Sequence, residues 1–370
     1  MPNPLKILIV DDTVTYRSIL TRVVEGIPNT QVVGTASNGK LALSKLGTLD
    51  VDLVLLDIEM PEMDGLETLQ VIKRDRPNIG VIMISGMNRS SADITIRALE
   101  MGALDFIPKP DGQSLSESQE ELLKKLTSVI KHFELKRNLS SAMTRGKPYS
   151  APVKPLASQP IAPPAPATAQ NKAALPSQFD ILVIGVSTGG PNALGEFIPA
   201  LPGDLNIPIL LVQHMPPIFT ESLANSLNRK SSLTVKEARD GDIVEKNTVY
   251  IAPGGKHMVV TRNQDTIKIS TNEQPPENSC RPAVDVMFRS VADVYGKNIL
   301  SLIMTGMGSD GALGLKVLKQ KSCYSLVQSE KTCVVYGMPR AVEEMNLADE
   351  RIDLKDLAGR VTQLIRKGLR

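Results

Sequence analysis

Short apolar runs separated by amphipathic stretches recur along the first third of the chain. They read "KILIV", "QVVGTAS", "DLVLLD", "VIMIS" and "DFIPKP". Runs rich in Val, Ile and Leu suit strands buried on both faces, and the helical patterns between them make parallel βαβ crossovers. Five such units predict a small doubly wound α/β domain. Near Ser116 to Asn138, Leu122, Leu123, Leu126, Val129, Ile130 and Phe133 recur at helical spacing. That stripe predicts a last helix packed on the sheet.

The pattern stops between Lys147 and Ser177, where Pro, Ala and polar residues crowd together. Proline lacks a backbone donor and favours extended backbone, so the stretch predicts a semi-stiff linker. At 370 residues the chain is long enough for two or three domains. The expected division is 1–138, a linker over 139–177, and 178–370. After the linker the same grammar returns in "DILVIGVS", "IPILLVQH", "TVYIAP", "HMVVT", "TIKIS", "NILSLIMTG" and "SLVQSE". Most of these runs are of the parallel type. "VYIAPGGKHMVV" predicts two strands joined by a Pro-Gly-Gly turn, an antiparallel hairpin added to a second parallel sheet.

Polar residues fall at the ends of the first five runs: Asp11 and Asp12, then Asp57, Ser85 and Lys109. Residues just past the carboxyl ends of strands in an open α/β sheet converge at the topological switch point. Any one aspartate could cap a helix. Several together repel one another, which a hard divalent cation such as Mg²⁺ relieves. Asp57 could then accept a phosphoryl group whose oxygens Lys109 and the Ser85 hydroxyl would bind. The motifs "VDD", "LLDIEMPEMDGLE", "MIS" and "DFIPKP" resemble the phosphoaspartyl receiver domain of two-component signalling. The resemblance implies a flavodoxin-like fold with Asp57 as phosphoacceptor. It also implies Mg²⁺ held by Asp11, Asp12, Asp57 and the Glu59 backbone carbonyl. Ser85 and Phe106, with Lys109, would be the residues that report phosphorylation.

"GVSTGG", at Gly185–Gly190, follows the first strand of the second half. A dinucleotide fingerprint needs a glycine where Ser187 stands, and no Gly-Lys-Ser/Thr follows to make a phosphate loop. The segment does fit G-x-S-x-G, a strand-to-helix turn that exposes a serine hydroxyl, although a serine capping the next helix fits equally. A serine needs a base. Of the three histidines, His132 lies in the last helix of the first half and His257 begins the second strand of the expected hairpin. His214 follows a parallel strand directly, which places it beside Ser187. Asp310, in the glycine-rich loop of "TGMGSDGALGL", is the candidate to orient the base, and the glycines of that loop would let backbone approach the site, while those of "GVSTGG" would leave room for a substrate. Asp285 competes with it but suits a helix N-cap.

Together "GVSTGG", "QHMPPIFTESLA", "APGGKHM", "CRPAVDVMF", "TGMGSDGALGLKVL" and "VVYGMPRAV" resemble the chemotaxis response-regulator methylesterases, which join a receiver to a Rossmann-like α/β esterase domain. The resemblance implies a Ser187, His214 and Asp310 triad, with the Thr188 and Met307 backbone amides as oxyanion donors and no cofactor in the esterase half. It further implies hydrolysis of γ-glutamyl methyl esters and deamidation of glutamines on methyl-accepting chemoreceptors, with a chemotaxis histidine kinase as phosphodonor. "KQKSCYSLVQSEKTC" departs from the family in lacking a glycine before its strand and in having Ser329.

Hydrophobic content of 42% with 22% charged residues is ordinary for globular protein. A formal charge of +2 and the absence of a basic recognition helix after the linker argue against a DNA-binding output. Cys280, Cys323 and Cys333 lack metal-site spacing and imply no disulfide framework. With no signal or spanning pattern at the N-terminus, the expectation is a cytoplasmic monomer without membrane insertion.

Overall fold

The computed structural model describes residues 4–109, 122–123, 126–127, 129–131, 133–134 and 176–367. His132 and almost all of the expected linker lie outside these residues.

The five apolar runs become the strands of the first sheet: β1 (Leu5–Val10), β2 (Thr30–Ala36), β3 (Leu53–Asp57), β4 (Gly80–Ser85) and β5 (Asp105–Pro108). All pair in parallel in the order β2-β1-β3-β4-β5, so the winding reverses between β1 and β3. Four helices cross over: α1 (Val14–Glu25), α2 (Gly39–Leu46), α3 (Gly65–Asp75) and α4 (Arg89–Glu100). Side chains written at their starts cap three of them. Asn38 and Asn88 accept the amides of Leu41 and Ser91, and Asp64 forms a reciprocal capping box with Glu67. The described residues between 122 and 134 are helical, and Leu122, Leu126, Val129 and Ile130 bury against Leu5, Ile7 and Ile9. That is the packing the stripe predicts.

The second sheet has seven strands, all parallel, in the order β14-β13-β12-β6-β7-β9-β8. Its strands are β6 (Ile181–Val186), β7 (Ile209–Gln213), β8 (Thr234–Glu237), β9 (Thr248–Ile251), β12 (Ile299–Ile303), β13 (Cys323–Gln328) and β14 (Glu350–Ile352). The helices are α5 (Gly190–Phe197), α6 (Phe219–Lys230), α7 (Val284–Tyr295), α8 (Ala312–Lys319), α9 (Met338–Glu344) and α10 (Leu354–Lys367). Chain order reverses between β6 and β12, and that switch point locates the site.

An antiparallel pair is present, but one strand later than the sequence suggests. It joins β10 (His257–Asn263) to β11 (Thr266–Asn272). Thr248–Ile251 instead stays in the parallel sheet, because its four residues are buried between β7 and β8. The Pro-Gly-Gly segment is therefore a connection between sheets. Strands β8 and β14 escape the apolar-run criterion because they are short edge strands carrying Lys236, Glu237, Glu350 and Arg351.

The two α/β units touch through α4 and β5 of the first and α5 and α6 of the second. Phe106 stacks on Phe219 with ring centroids 4.5 Å apart. Glu100 accepts from the Ser226 hydroxyl and pairs with Lys230 at 2.7 Å. Asn192 donates to the Ala103 carbonyl at 3.0 Å, and Arg89 pairs with Glu221 at 3.1 Å. One apolar cluster runs continuously from Met83 and Ile96 through Phe106 to Phe219 and Leu223.

Candidate active site and acidic pocket

Val186 and Gln213 are register partners at the ends of β6 and β7, so the next residue on each strand, Ser187 and His214, emerges side by side. The sheet is held together past its formal edge. His214 N–H donates to the Val186 carbonyl at 3.1 Å, and Ser187 N–H to the Thr305 carbonyl at 3.0 Å. The buried Gln213 amide then donates to the carbonyls of both Ser187 (3.0 Å) and His214 (3.2 Å), fixing one against the other. Sequence patterning passes over Gln213 because it reads as the polar end of an apolar strand.

Between Ser187 and α5 the left-handed residue is Gly189, at φ 75°. The glycines around this turn admit protein rather than substrate, contrary to the sequence expectation. A Cβ on Gly185 would lie 2.6 Å from Val284, and one on Gly190 would lie 1.9 Å from the Gln213 carbonyl oxygen. A Cβ on Gly306 would lie 2.7 Å from the Ser187 Cβ. This last approach sets the Thr305–Met307 segment against the serine. Thr188, next in the chain, is 8% exposed, and its carbonyl accepts the Thr305 hydroxyl at 2.9 Å.

His214 Nε2 lies 2.8 Å from Asp310 Oδ2. Asp310 is 2% exposed and accepts from the amides of Val284 (2.7 Å), Asp285 (3.0 Å) and Gly311 (3.0 Å) and from the Asn278 side chain (3.0 Å). Two of these amides open α7, so the positive end of that helix faces the carboxylate. Burial opposes ionisation of Asp310, yet its bond to His214 and these amides hold it below the usual carboxylate range. Burial would lower His214, but the Asp310 carboxylate and then the Cys280 thiol outweigh it and raise the imidazole to about 9. With Nε2 committed to Asp310, Nδ1 is the nitrogen left to take a serine proton. The Cys280 sulfur stands 3.6 Å from it.

A base works only when deprotonated, and here its pKa is raised. The acid limb of a kcat/KM profile for ester hydrolysis should therefore lie above the ordinary histidine value of about 6.5. Activity should keep climbing through neutral pH, and a midpoint at or below that value would contradict the geometry.

Asp285 is not an N-cap, as its sequence position suggests. Ala283 occupies that place, and the Asp285 carboxylate instead accepts the Gly311 and Gly314 amides at the start of α8. His257, 1% exposed, begins β10 and commits both ring nitrogens to backbone, the Pro275 carbonyl and the Ala283 amide. Cys323 and Cys333 are buried.

In the first unit, the carboxylates of Asp11, Asp12 and Asp57 bring ligand oxygens within 4.8 Å of one another at the β1/β3 switch point. This is an all-oxygen, triply acidic set of the kind that suits a hard divalent cation. Lys109 Nζ bridges Asp11 (2.9 Å) and Asp57 (2.8 Å). Burial pushes the Asp57 carboxyl up to about 6, against the pull of Lys109. The Ser85 hydroxyl is 2.7 Å from that of Thr95, and the Glu59 carboxylate accepts the Ser91 hydroxyl at 2.5 Å. Phe106 points away from this pocket to Phe219.

Two family models match the chain: the CheB methylesterase over residues 182–361 and the response regulator receiver domain over residues 7–120. Among curated relatives, a protein-glutamate methylesterase/protein-glutamine glutaminase of Desulfotalea psychrophila is 41% identical, covering 98% of this chain and 99% of its own. Its counterpart in Halalkalibacterium halodurans is 40% identical over the same shares. The crystal structure of the Thermotoga maritima CheB methylesterase catalytic domain matches with a TM-score of 0.50 at 40% identity, covering 50% of this chain and 99% of that one. A serine, a histidine and a buried aspartate at the switch point of one sheet, an acidic pocket at the switch point of another, and relatives matching from end to end lead to one conclusion: the chain belongs to the receiver-linked CheB methylesterase family.

Proposed function

We propose that this chain is a phosphorylation-activated serine hydrolase that demethylates γ-glutamyl methyl esters on chemoreceptors and deamidates glutamines at the same site. The observation that carries the reading is the 2.8 Å contact of His214 with the buried, amide-rich Asp310, beside Ser187 on the adjacent strand. Ser187 Oγ attacks the ester carbonyl while His214 Nδ1 takes its proton. The Thr188 and Met307 amides receive the developing oxyanion. The tetrahedral intermediate collapses, and His214 returns the proton to the departing methanol. Water, deprotonated by the same imidazole, then attacks the acyl-enzyme, leaving glutamate and free serine. With a glutamine side chain the leaving group is ammonia.

Domain boundaries follow as a receiver over 1–138, a linker over 139–177 and a catalytic unit over 178–370. In the receiver, Asp11, Asp12, Asp57 and the Glu59 backbone carbonyl would hold Mg²⁺. That ion, when bound, neutralises charge on the phosphoryl oxygens. Asp57 accepts the phosphoryl group from a histidine kinase, and Lys109 and Ser85 bind its oxygens. Pulling the Ser85 hydroxyl from Thr95 toward the phosphoryl group frees space beside Phe106, whose ring leaves Phe219 and loosens the α4–α6 contact. Phe219 is five residues from His214, with Ile218 held at φ 75° between them. A cytoplasmic setting accords with this kinase and substrate, and no described helix is long and apolar enough to cross a membrane.

Release of methanol from methylated chemoreceptors tests the chemistry. For the switch, Asp57→Asn should abolish stimulation by a phosphodonor. Glu100→Ala should raise the unphosphorylated rate roughly two- to tenfold by weakening the contact with Ser226 and Lys230. Full stimulation of Asp57→Asn would place the switch elsewhere.

A further inference from the structure

The turn at Glu277–Cys280 is built as a clamp on the triad. Its central residues, Asn278 (φ 52°) and Ser279 (φ 61°), are both left-handed although neither is glycine. Glu277 and Cys280 close it through two backbone bonds of 3.1 and 2.8 Å. Both flanks are tethered. Arg289 of α7 grips the Glu277 carboxylate with two guanidinium nitrogens. His257 ties the Pro275 carbonyl to the Ala283 amide across the segment, and Arg281 donates to the Glu273 carbonyl at 2.9 Å. So secured, the turn reaches both ends of the base–acid pair. Cys280 meets His214 Nδ1, and the Asn278 amide donates to Asp310 Oδ1 and to Asp285 Oδ2, each at 3.0 Å.

We propose that Asn278 is a positioning residue of the esterase: its side-chain amide bridges Asp285 and Asp310 and so keeps Asp310 ionised and aimed at His214. The proposal rests on the hydrolase reading above. Two carboxylates, 0% and 2% exposed, share one small volume. Like charges that close favour capture of a proton by the pair. An N–H donor to each stabilises both as anions. The other groups facing this pair are His214 at the end of β7, Arg289 on α7, and Glu277 and Cys280 in the turn itself. The direction in which Asp285 is pushed supports the picture, since burial and the Asp310 charge raise it while the Asn278 bond lowers it. Asparagine also suits the place, because it tolerates left-handed backbone better than other side chains of its size.

Without the amide, the carboxylate pair binds a proton at higher pH and Asp310 carries less charge. His214 then loses part of its support and its pKa falls. Asn278→Gly removes the amide while keeping a residue at ease with positive φ. In the full chain it should lower kcat roughly tenfold or more, with KM little changed, as expected for one buried bond to a charged group. The pH midpoint for labelling of Ser187 by a fluorophosphonate should move downward. Adding Asp285→Asn removes the second carboxylate, so the double variant should recover rate and return the midpoint toward that of the parent.

A normal midpoint in Asn278→Gly, or no recovery in the double variant, overturns the proposal and leaves Asn278 a turn-former only. Labelling reports on the serine and its base without any glutamyl ester. If the parent labels at Ser187 yet releases no methanol from receptors, the substrate reading fails while the role of Asn278 is still measured.

Discussion

Ser187→Ala should reduce ester hydrolysis by about 10⁶-fold, the loss seen when the nucleophile of a serine hydrolase is removed. The variant should keep its fold. The main-chain bonds that hold position 187, from its amide to Thr305 and from Gln213 and Gly190 to its carbonyl, do not involve the hydroxyl. The side chain is only half-buried, so truncation opens little cavity. Methanol release from methylated receptors and fluorophosphonate labelling should vanish together, with the melting temperature within a degree or two of the parent. Activity within tenfold of the parent would move the nucleophile elsewhere.

Asp310→Asn should cost about 10⁴-fold in kcat, by analogy with the same exchange in a serine protease, and here it should cost stability as well. Five N–H groups point at the two carboxylate oxygens: His214, the Val284, Asp285 and Gly311 amides, and Asn278. Whichever way an asparagine is turned, its NH₂ faces donors that need an acceptor. Each stranded buried donor costs about 1–3 kcal/mol. At about 2–4 °C per kcal/mol for a domain of this size, the melting temperature should fall by several degrees. His214, relieved of the carboxylate, should titrate lower, so the residual activity should have an acid limb shifted down in pH. A variant with parental melting temperature and parental pH midpoint would show that the carboxylate is not held as described.

Much of this was legible in the sequence. Apolar runs gave both parallel sheets, and polar residues at run ends gave the acidic pocket and Ser187, His214 and Asp310, because strand ends converge wherever a sheet reverses its winding. What escaped depends on neighbours far along the chain. The place of the antiparallel pair turned on whether β9 is covered by β7 and β8, which no local pattern states. Asp285 looked like a cap for its own helix, yet it caps α8 across a gap of 26 residues. Asn278 and Cys280 lie in a polar segment without periodicity, and only the folded turn brings them to the triad. The glycines of "GVSTGG" suggest room for a substrate, but the space beside them is filled by Val284, Val334 and Gln213 from distant segments.

The contact between α4–β5 and α6 also sets terms for every other protein that would read the receiver. Phe106 and Glu100 are occupied by a surface on the same chain, and a tethered surface competes at an effective concentration near the millimolar range. A kinase domain or scaffold that used this face with micromolar affinity would be largely excluded until the chain opened. If phosphorylation loosens this contact as proposed, the contact would also filter partners by phosphorylation state, without any separate recognition of the phosphoryl group.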